Sequence, residues 1–391
     1  MQNFVSYTPT RVVFGRDTEL EAGKYIKMYG GTNVLIVYGG GSAVKSGLIA
    51  KVESALIAQG ITFREFGGAK PNPTVAHAEA GVKKALEMKA DFILAVGGGS
   101  AIDTAKAIAH GTANFAKKLW ELWTNPASVV KSLPVGAILT IPAAGSEMSD
   151  SAVLTNEELG IKLGLSTELN RCRFAILDPA LAASLPKYQL AAGVTDIMMH
   201  TMERYFIPGS CAELTDEIAE GLLRTVIANG RKILADPADF DAMGEIYWCS
   251  SVSHNGTTGL GRARDFSVHA LGQALGAVYD YTHGATLSAV WQAWAEYLYK
   301  DCPERFARYA RKVWGVEEPD DLAAAEEGIR RTVAFFREIG MPVTIAELGA
   351  EPDDETIHRL AFHATKKDTV KLTQIRPLGI PEVEAIFRNA R

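Results

Sequence analysis

Short apolar runs alternate with helix-patterned segments through the first half of the chain. Asn33 to Tyr38 (NVLIVY) ends in Gly39-Gly40-Gly41, and a helical pattern from Val44 to Ala58 follows. Asp91 to Val96 (DFILAV) ends in Gly97-Gly98-Gly99-Ser100, with a second helical pattern from Ala101 to Ala109. A third strand-like run, Val135 to Ile141 (VGAILTI), stops at Pro142. Strands that are apolar throughout, rather than alternating, need cover on both faces, which predicts a parallel sheet sandwiched by helices. From about Pro186 apolar residues recur at helical spacing instead. In Asp321 to Glu338, for example, Ile329, Val333 and Phe336 share a face, and Gly340 and Pro342 supply stop signals. The expected architecture is an α/β N-terminal domain, residues 1–183, followed by an all-α C-terminal domain, residues 184–391. The hinge is expected near Asp178–Pro186, bracketed by Pro179 and Pro186.

Composition agrees with two cores: 391 residues exceed the roughly 100–200 of one domain. At 47% hydrophobic and 22% charged the chain is of ordinary globular type. A net charge of −6, from 40 basic and 46 acidic residues with no basic stripe, gives nucleic-acid binding no support. No segment reaches the roughly 18 apolar residues needed to span a bilayer. The opening MQNFVSYTPT lacks the basic and apolar regions of a secretory signal. A cytoplasmic protein without a membrane partner is the expectation. Cys172, Cys211, Cys249 and Cys302 are scattered, with no C-x-x-C pair, and read as reduced, structural residues.

Two glycine clusters sit at strand ends, where exposed backbone N–H groups can meet a phosphate. Gly97-Gly98-Gly99-Ser100-Ala101-Ile102-Asp103 follows an apolar strand and opens a helix, the context that such a motif needs. A plain strand-to-helix turn is the competing reading. The first cluster, Gly39-Gly40-Gly41-Ser42, stands where a dinucleotide site often carries an acid that binds the adenosine ribose. The absence of an acid, with Ser42 and Lys45 nearby, leaves room for a 2′-phosphate and favours NADP(H), with NAD(H) still possible.

Candidate metal chemistry lies in the second half. Asp196 and His200, in LAAGVTDIMMHTMERYF, are i and i+4 and so share a helical face. Such a pair alone is more often a surface ion pair. His269, in the helical run Phe266 to Val278, and His283, after the turn-like Tyr279-Asp280-Tyr281-Thr282, change the balance. One carboxylate with three imidazoles suits a first-row divalent metal such as Fe(II) or Zn(II), without choosing between them. The other five histidines, His77, His110, His254, His358 and His363, read as structural or exposed.

These motifs, in this order, resemble the iron-containing (group III) alcohol dehydrogenases, particularly their butanol dehydrogenase and NADPH-dependent aldehyde reductase branch. The likeness runs through Phe4–Gly15 (FVSYTPTRVVFG), Gly97–Lys106 (GGGSAIDTAK), Ile141–Met148 (IPAAGSEM) and Gly193–His200 (GVTDIMMH). It continues with His269 to His283, Phe335–Pro342 (FFREIGMP) and Ile375–Phe387. The resemblance implies a dehydroquinate synthase-like two-domain fold, with a dinucleotide-binding domain, a helical metal-binding domain and a deep cleft between them. It implies Asp196, His200, His269 and His283 as metal ligands and catalytic centre. Gly39, Gly40 and Ser42 would meet the adenosine end, and Gly97, Gly98, Ser100 and Asp103 would form the pyrophosphate loop and its surroundings. Asn72, Thr140, Ser149 and Lys162 would complete the cofactor cleft. Glycine at 39, where NAD-using relatives carry an acid, resembles the NADPH-preferring branch. A homodimer formed through the N-terminal strands is also implied. The chain departs from the pattern at Gln273, where many relatives place a second histidine near the nicotinamide.

The expected function is therefore reversible hydride transfer between NADP(H) and a small aldehyde or primary alcohol. A nicotinamide- and metal-dependent lyase of the dehydroquinate synthase type is the alternative. It would need a basic pocket for a phosphorylated substrate, and Met198, Met199, Tyr279 and Tyr281 offer no sign of one. A non-catalytic nucleotide or metal binder is a third reading.

Overall fold

The computed structural model describes residues 1–209 and 212–391. Cys211 lies outside the described residues. The chain forms two compact units, Tyr7–Ser184 and Leu185–Arg391, the second joined by Met1–Ser6. Gln2 ties that N-terminal segment to the second unit, its N–H donating to the Gly261 carbonyl at 2.9 Å.

In the α/β unit the strands are β1 (Arg11–Phe14), β2 (Asn33–Tyr38), β3 (Thr62–Phe66), β4 (Phe92–Gly97), β5 (Val135–Leu139), β6 (Ser151–Asn156), β7 (Ile161–Ser166) and β8 (Phe174–Leu177). The helices are α1 (Ala22–Met28), α2 (Ser42–Lys45), α3 (Leu48–Ala58), α4 (Val75–Met88), α5 (Gly99–Ala113) and α6 (Leu119–Thr124). Six strands form a parallel sheet in the order β1-β8-β5-β4-β2-β3. Every residue of β4, β5 and β8 is buried, which is why these strands are apolar without alternation. From β2 the chain moves outward to β3, but from β4 it proceeds through β5 to the opposite side. The order thus reverses between β2 and β4, where ligands bind in open α/β sheets. Tyr38 pairs with Val96, so the two glycine turns leave neighbouring strands side by side.

Three details differ from the sequence expectation. The helical stretch 44–58 is two helices, because Gly47 adopts a left-handed φ of 78° between α2 and α3. Strand β5 ends at Leu139, not Ile141: Thr140 has turned so that its N–H meets the Gly97 carbonyl at 3.1 Å. The antiparallel β6–β7 hairpin was not expected. Only Ala152, Leu154 and Leu165 of the pair are buried, packing with Leu122 and Trp123, and so short a one-sided pattern gives little signal.

In the helical unit the elements are α7 (Lys187–Tyr205), α8 (Glu213–Ala235), α9 (Phe240–His254), α10 (Ser267–Tyr279), α11 (His283–Leu298), α12 (Pro303–Trp314), α13 (Asp321–Glu338), α14 (Asp354–Ala364) and α15 (Ile380–Asn389). Helix α7 is buried on every face from Leu190 to Tyr205, which marks it as the central helix. Glycines let its neighbours come close. A Cβ on Gly284, in the first turn of α11, would lie 2.1 Å from the Ala192 carbonyl oxygen of α7. One on Gly272 of α10 would lie 2.7 Å from Leu287 Cδ2 of α11. Among the described residues no helix is long and apolar enough to cross a membrane. Cys172, Cys249 and Cys302 are buried free thiols, and burial pushes each up to about 12, which keeps them protonated.

Candidate active site

Helix α7 supplies Asp196 and His200 from successive turns of one face, α10 supplies His269 from its first turn, and α11 begins with His283. All four side chains converge. Asp196 Oδ1 lies 3.4 Å from His200 Nε2, 3.4 Å from His269 Nε2 and 3.9 Å from His283 Nε2. Donor atoms of Asp196, His200 and His269 all fall within 4.8 Å of one another. The His283 side chain is 30% exposed, against 5% for Asp196, so the cluster is open on the His283 side and closed elsewhere.

Three close imidazoles around one carboxylate make an unusual polar cluster for a buried position. His269 Nε2 is buried and makes no hydrogen bond, although it faces Asp196. A buried ring nitrogen left without a hydrogen bond beside an anion is a place that a cation would satisfy. The carboxylate and imidazole donors fit a first-row divalent metal. Burial disfavours a charged His269, but Glu203 and Asp196 outweigh it and raise its pKa to about 9. Burial drives His200 the other way, well below its usual value, reinforced by the neighbouring His254 and His269. A metal binding here competes with the extra proton that His269 holds.

Two residues near the cluster escaped the sequence reading. Glu203 accepts the His269 backbone N–H at 3.0 Å and also contacts His269 Nδ1. Its place seven residues after Asp196, on the same helical face, was the available signal. His254, expected to be structural or exposed, stacks on the His200 ring with centroids 3.9 Å apart. Its distance in sequence gave no hint of this contact. Gln273 lies half-buried one turn beyond His269 on α10.

In the α/β unit the expected cofactor residues fall into four groups. Gly39, Gly40 and Ser42 form the turn after β2, where the Gly39 carbonyl accepts the Gly68 N–H at 3.1 Å. A Cβ on Gly40 would meet nothing within 4 Å, leaving the turn open to a ligand. Gly97, Gly98 and Ser100 form the turn into α5, with Thr140 bonded to Gly97. Here a side chain has no room: a Cβ on Gly98 would come 2.1 Å from Ile141 Cγ2. Helix α5 runs fifteen residues from this turn, so its N-terminal N–H groups and dipole suit a pyrophosphate. Asn72 and Lys162, far apart in sequence, meet through a 2.8 Å bond from Lys162 Nζ to Asn72 Oδ1.

Asp103 and Ser149 belong to a buried knot that shapes the loop after β5. Asp103 accepts from Ser146 Oγ at 2.6 Å and from the Val153 N–H at 2.9 Å. Lys106, fully buried, donates to the Ser146 and Ser151 carbonyls at 2.7 Å each. Ser149 Oγ donates to the Ser151 carbonyl at 3.1 Å. These contacts occupy both side chains within the protein and hold the glycine turn against the loop.

Residues 9–179 match the family model described as iron-containing alcohol dehydrogenase, and residues 190–391 match that of the family's C-terminal part. The chain belongs to the iron-containing alcohol dehydrogenase family. It is 36% identical over 392 residues to NADH-dependent butanol dehydrogenase A of Clostridium acetobutylicum, covering 100% of both chains. It is also 36% identical over 396 residues to the NADPH-dependent aldehyde reductase YqhD of Escherichia coli, again with 100% of each covered. The crystal structure of NADH-dependent butanol dehydrogenase A from Thermotoga maritima has a TM-score of 0.95 at 34% identity, covering 100% of this chain and 99% of that one. Family membership makes this chain a metal- and nicotinamide-dependent oxidoreductase of alcohols and aldehydes, and favours that activity over the lyase alternative.

Proposed function

We propose that the chain interconverts a small aldehyde and its primary alcohol, with NADP(H) preferred as the hydride carrier and NAD(H) usable. One divalent metal, Fe(II) or Zn(II), is held by Asp196, His200, His269 and His283. The observation that carries this reading is the convergence of three imidazole Nε2 atoms on Asp196 Oδ1. When bound, the cation supplies Lewis acidity to a carbonyl oxygen and the nicotinamide carries the hydride. The protein's own part is to fix the donor set on three packed helices and to keep water from all but the His283 side. Gln273 offers no acid or base at neutral pH, so in this reading a water chain or another group relays the product proton.

Aldehyde-dependent NADPH oxidation tests the proposal. Turnover of short-chain aldehydes should disappear on chelation and return on adding Fe(II) or Zn(II). No aldehyde turnover in any metal form would reject it.

Cofactor preference rests on the turn after β2, since the NADH- and NADPH-dependent relatives are each 36% identical to the chain. Gly39, Gly40 and Ser42 form the adenosine end of the proposed site, with exposed Lys45 and Lys70 on the two flanking segments. Gly97, Gly98 and Ser100 hold the pyrophosphate, and Asp103, Thr140 and Ser149 shape the surrounding loop. Asn72 and Lys162 complete the site as a bonded pair. Replacing Gly39 by Asp places a carboxylate where a 2′-phosphate would lie. Its Cβ would approach only the Ala69 carbonyl oxygen, at 3.4 Å, so the substitution fits with slight adjustment. The ratio of kcat/KM for NADPH over NADH should fall by about tenfold or more, since like charges side by side cost more than roughly 1.4 kcal/mol. A wild-type preference for NADH would show the argument to be wrong.

We further place the protein in the cytoplasm, as a homodimer. The dimer is supported by β1, which lies at the sheet edge with Phe14 exposed, and by the exposed Phe4, Val5 and Tyr7.

A further inference from the structure

We infer that Glu203 is a positioning residue that selects the metal-binding tautomer of His269, an inference that rests on the metal reading above. Asp196, His200 and Glu203 occupy positions i, i+4 and i+7 of α7, so one face of one helix carries two of the proposed ligands and this further carboxylate. Glu203 is almost fully buried, and both of its oxygens are directed to the same residue. Oε1 accepts the His269 backbone N–H at 3.0 Å, and Oε2 meets His269 Nδ1.

The two contacts do different work. Helix α10 starts at Ser267, so the His269 N–H is one of the first-turn donors that have no partner within the helix. The Asp265 carboxylate takes the Ser267 N–H at 2.8 Å, and Glu203 takes that of His269. The second contact acts on the ring. A carboxylate only accepts, so Nδ1 must carry a proton to bond with it. The neutral ring is thereby left with its lone pair on Nε2, the atom that faces Asp196 Oδ1 at 3.4 Å. Glu203 thus fixes both the rotation of the imidazole and the identity of the nitrogen offered to a cation. A carboxylate behind a ligating imidazole also strengthens it as a donor.

Glutamine cannot make both contacts, because its amide has one acceptor and one donor group. If the carbonyl takes the backbone N–H, the NH2 group faces Nδ1 and favours the tautomer with its proton on Nε2. If the carbonyl takes Nδ1–H, the NH2 group opposes the backbone N–H. Neither arrangement reproduces what Glu203 provides.

The experiment uses metal-free full-length protein titrated with Co(II) against a competing chelator, with the visible absorption of the bound ion as a second readout. Glu203→Gln should weaken Co(II) binding by about 10–100-fold and alter the absorption band. The thermal midpoint of the metal-free variant, measured alongside, reports whether the backbone N–H contact at the start of α10 is also lost. Affinity and spectrum both equal to wild type would overturn the inference. Should the Gln variant not fold, Glu203→Asp keeps two acceptors on a shorter stem and should bind Co(II) more weakly than wild type; equal affinity there also overturns it. Asp196→Ala separates the two claims. Wild-type protein without Asp196-dependent Co(II) binding would overturn the metal reading itself, and this inference with it. Asp196-dependent binding unaffected at Glu203 would remove this inference alone.

Discussion

Protein carrying Asp196→Ala is expected to fold, to purify without its metal, and to lose at least about 10³-fold in kcat/KM with aldehyde and NADPH. Asp196 Oδ1 is the atom on which the three imidazole nitrogens converge, at 3.4, 3.4 and 3.9 Å. Removing it leaves three mutually close rings and takes away the one anionic donor among the four. Lewis-acid stabilisation of a developing oxyanion is worth several kcal/mol, each 1.36 kcal/mol being roughly a factor of ten in rate. Metal analysis of the purified variant and steady-state kinetics check the two halves of the expectation. Full metal content with wild-type kcat would exclude Asp196 as an essential ligand.

A change that touches no proposed ligand should be almost as damaging. In Gly284→Ala the new methyl would stand 2.1 Å from the Ala192 carbonyl oxygen and 2.9 Å from its Cα. Both are backbone atoms, so no rotamer relieves the clash and α11 must move away from α7. Ala192 precedes Asp196 by one turn and Gly284 follows His283 directly, so that movement opens the gap between two proposed ligands. Overpacking of this kind costs about 1–3 kcal/mol, and a misplacement of about 1 Å in a catalytic group costs on the order of 100-fold in rate. A lower thermal midpoint together with a kcat/KM reduced by about that factor is expected. Gly276→Ala is the control, since its Cβ meets nothing within 4 Å and should leave both quantities near wild type. Equal behaviour of the two variants would show that the close approach at Gly284 does not set the site.

The sequence exposed the parts of this design that repeat over several residues. Fully apolar strands revealed the buried parallel sheet, and an uninterrupted helical pattern around Asp196 and His200 revealed that they share a face. What it concealed depends on single contacts between distant segments. Gly47 breaks a helix whose apolar spacing continues straight across it. The motif Gly97–Lys106 reads as a phosphate turn, yet Asp103 and Lys106 within it are bonded to Ser146 and Ser151. Residue type alone does not distinguish a polar side chain that meets a ligand from one that ties down the neighbouring loop. His254 stacks on His200 from the far end of α9, a contact that only tertiary packing creates. Glu203 obeys a spacing rule that sequence does carry, seven residues after Asp196 on one helical face.

The sheet register has a consequence for how such an enzyme changes over time. Tyr38 and Val96 are direct partners, so the two glycine turns lie at the same edge, yet they belong to segments nearly sixty residues apart. The second is constrained by Ile141 and the serine loop, whereas at Gly40 and Gly41 of the first a side chain would meet nothing within 4 Å. On the proposed cofactor site, a lineage would trade one nicotinamide currency for the other by altering the turn after β2 while the glycine turn into α5 is inherited unchanged.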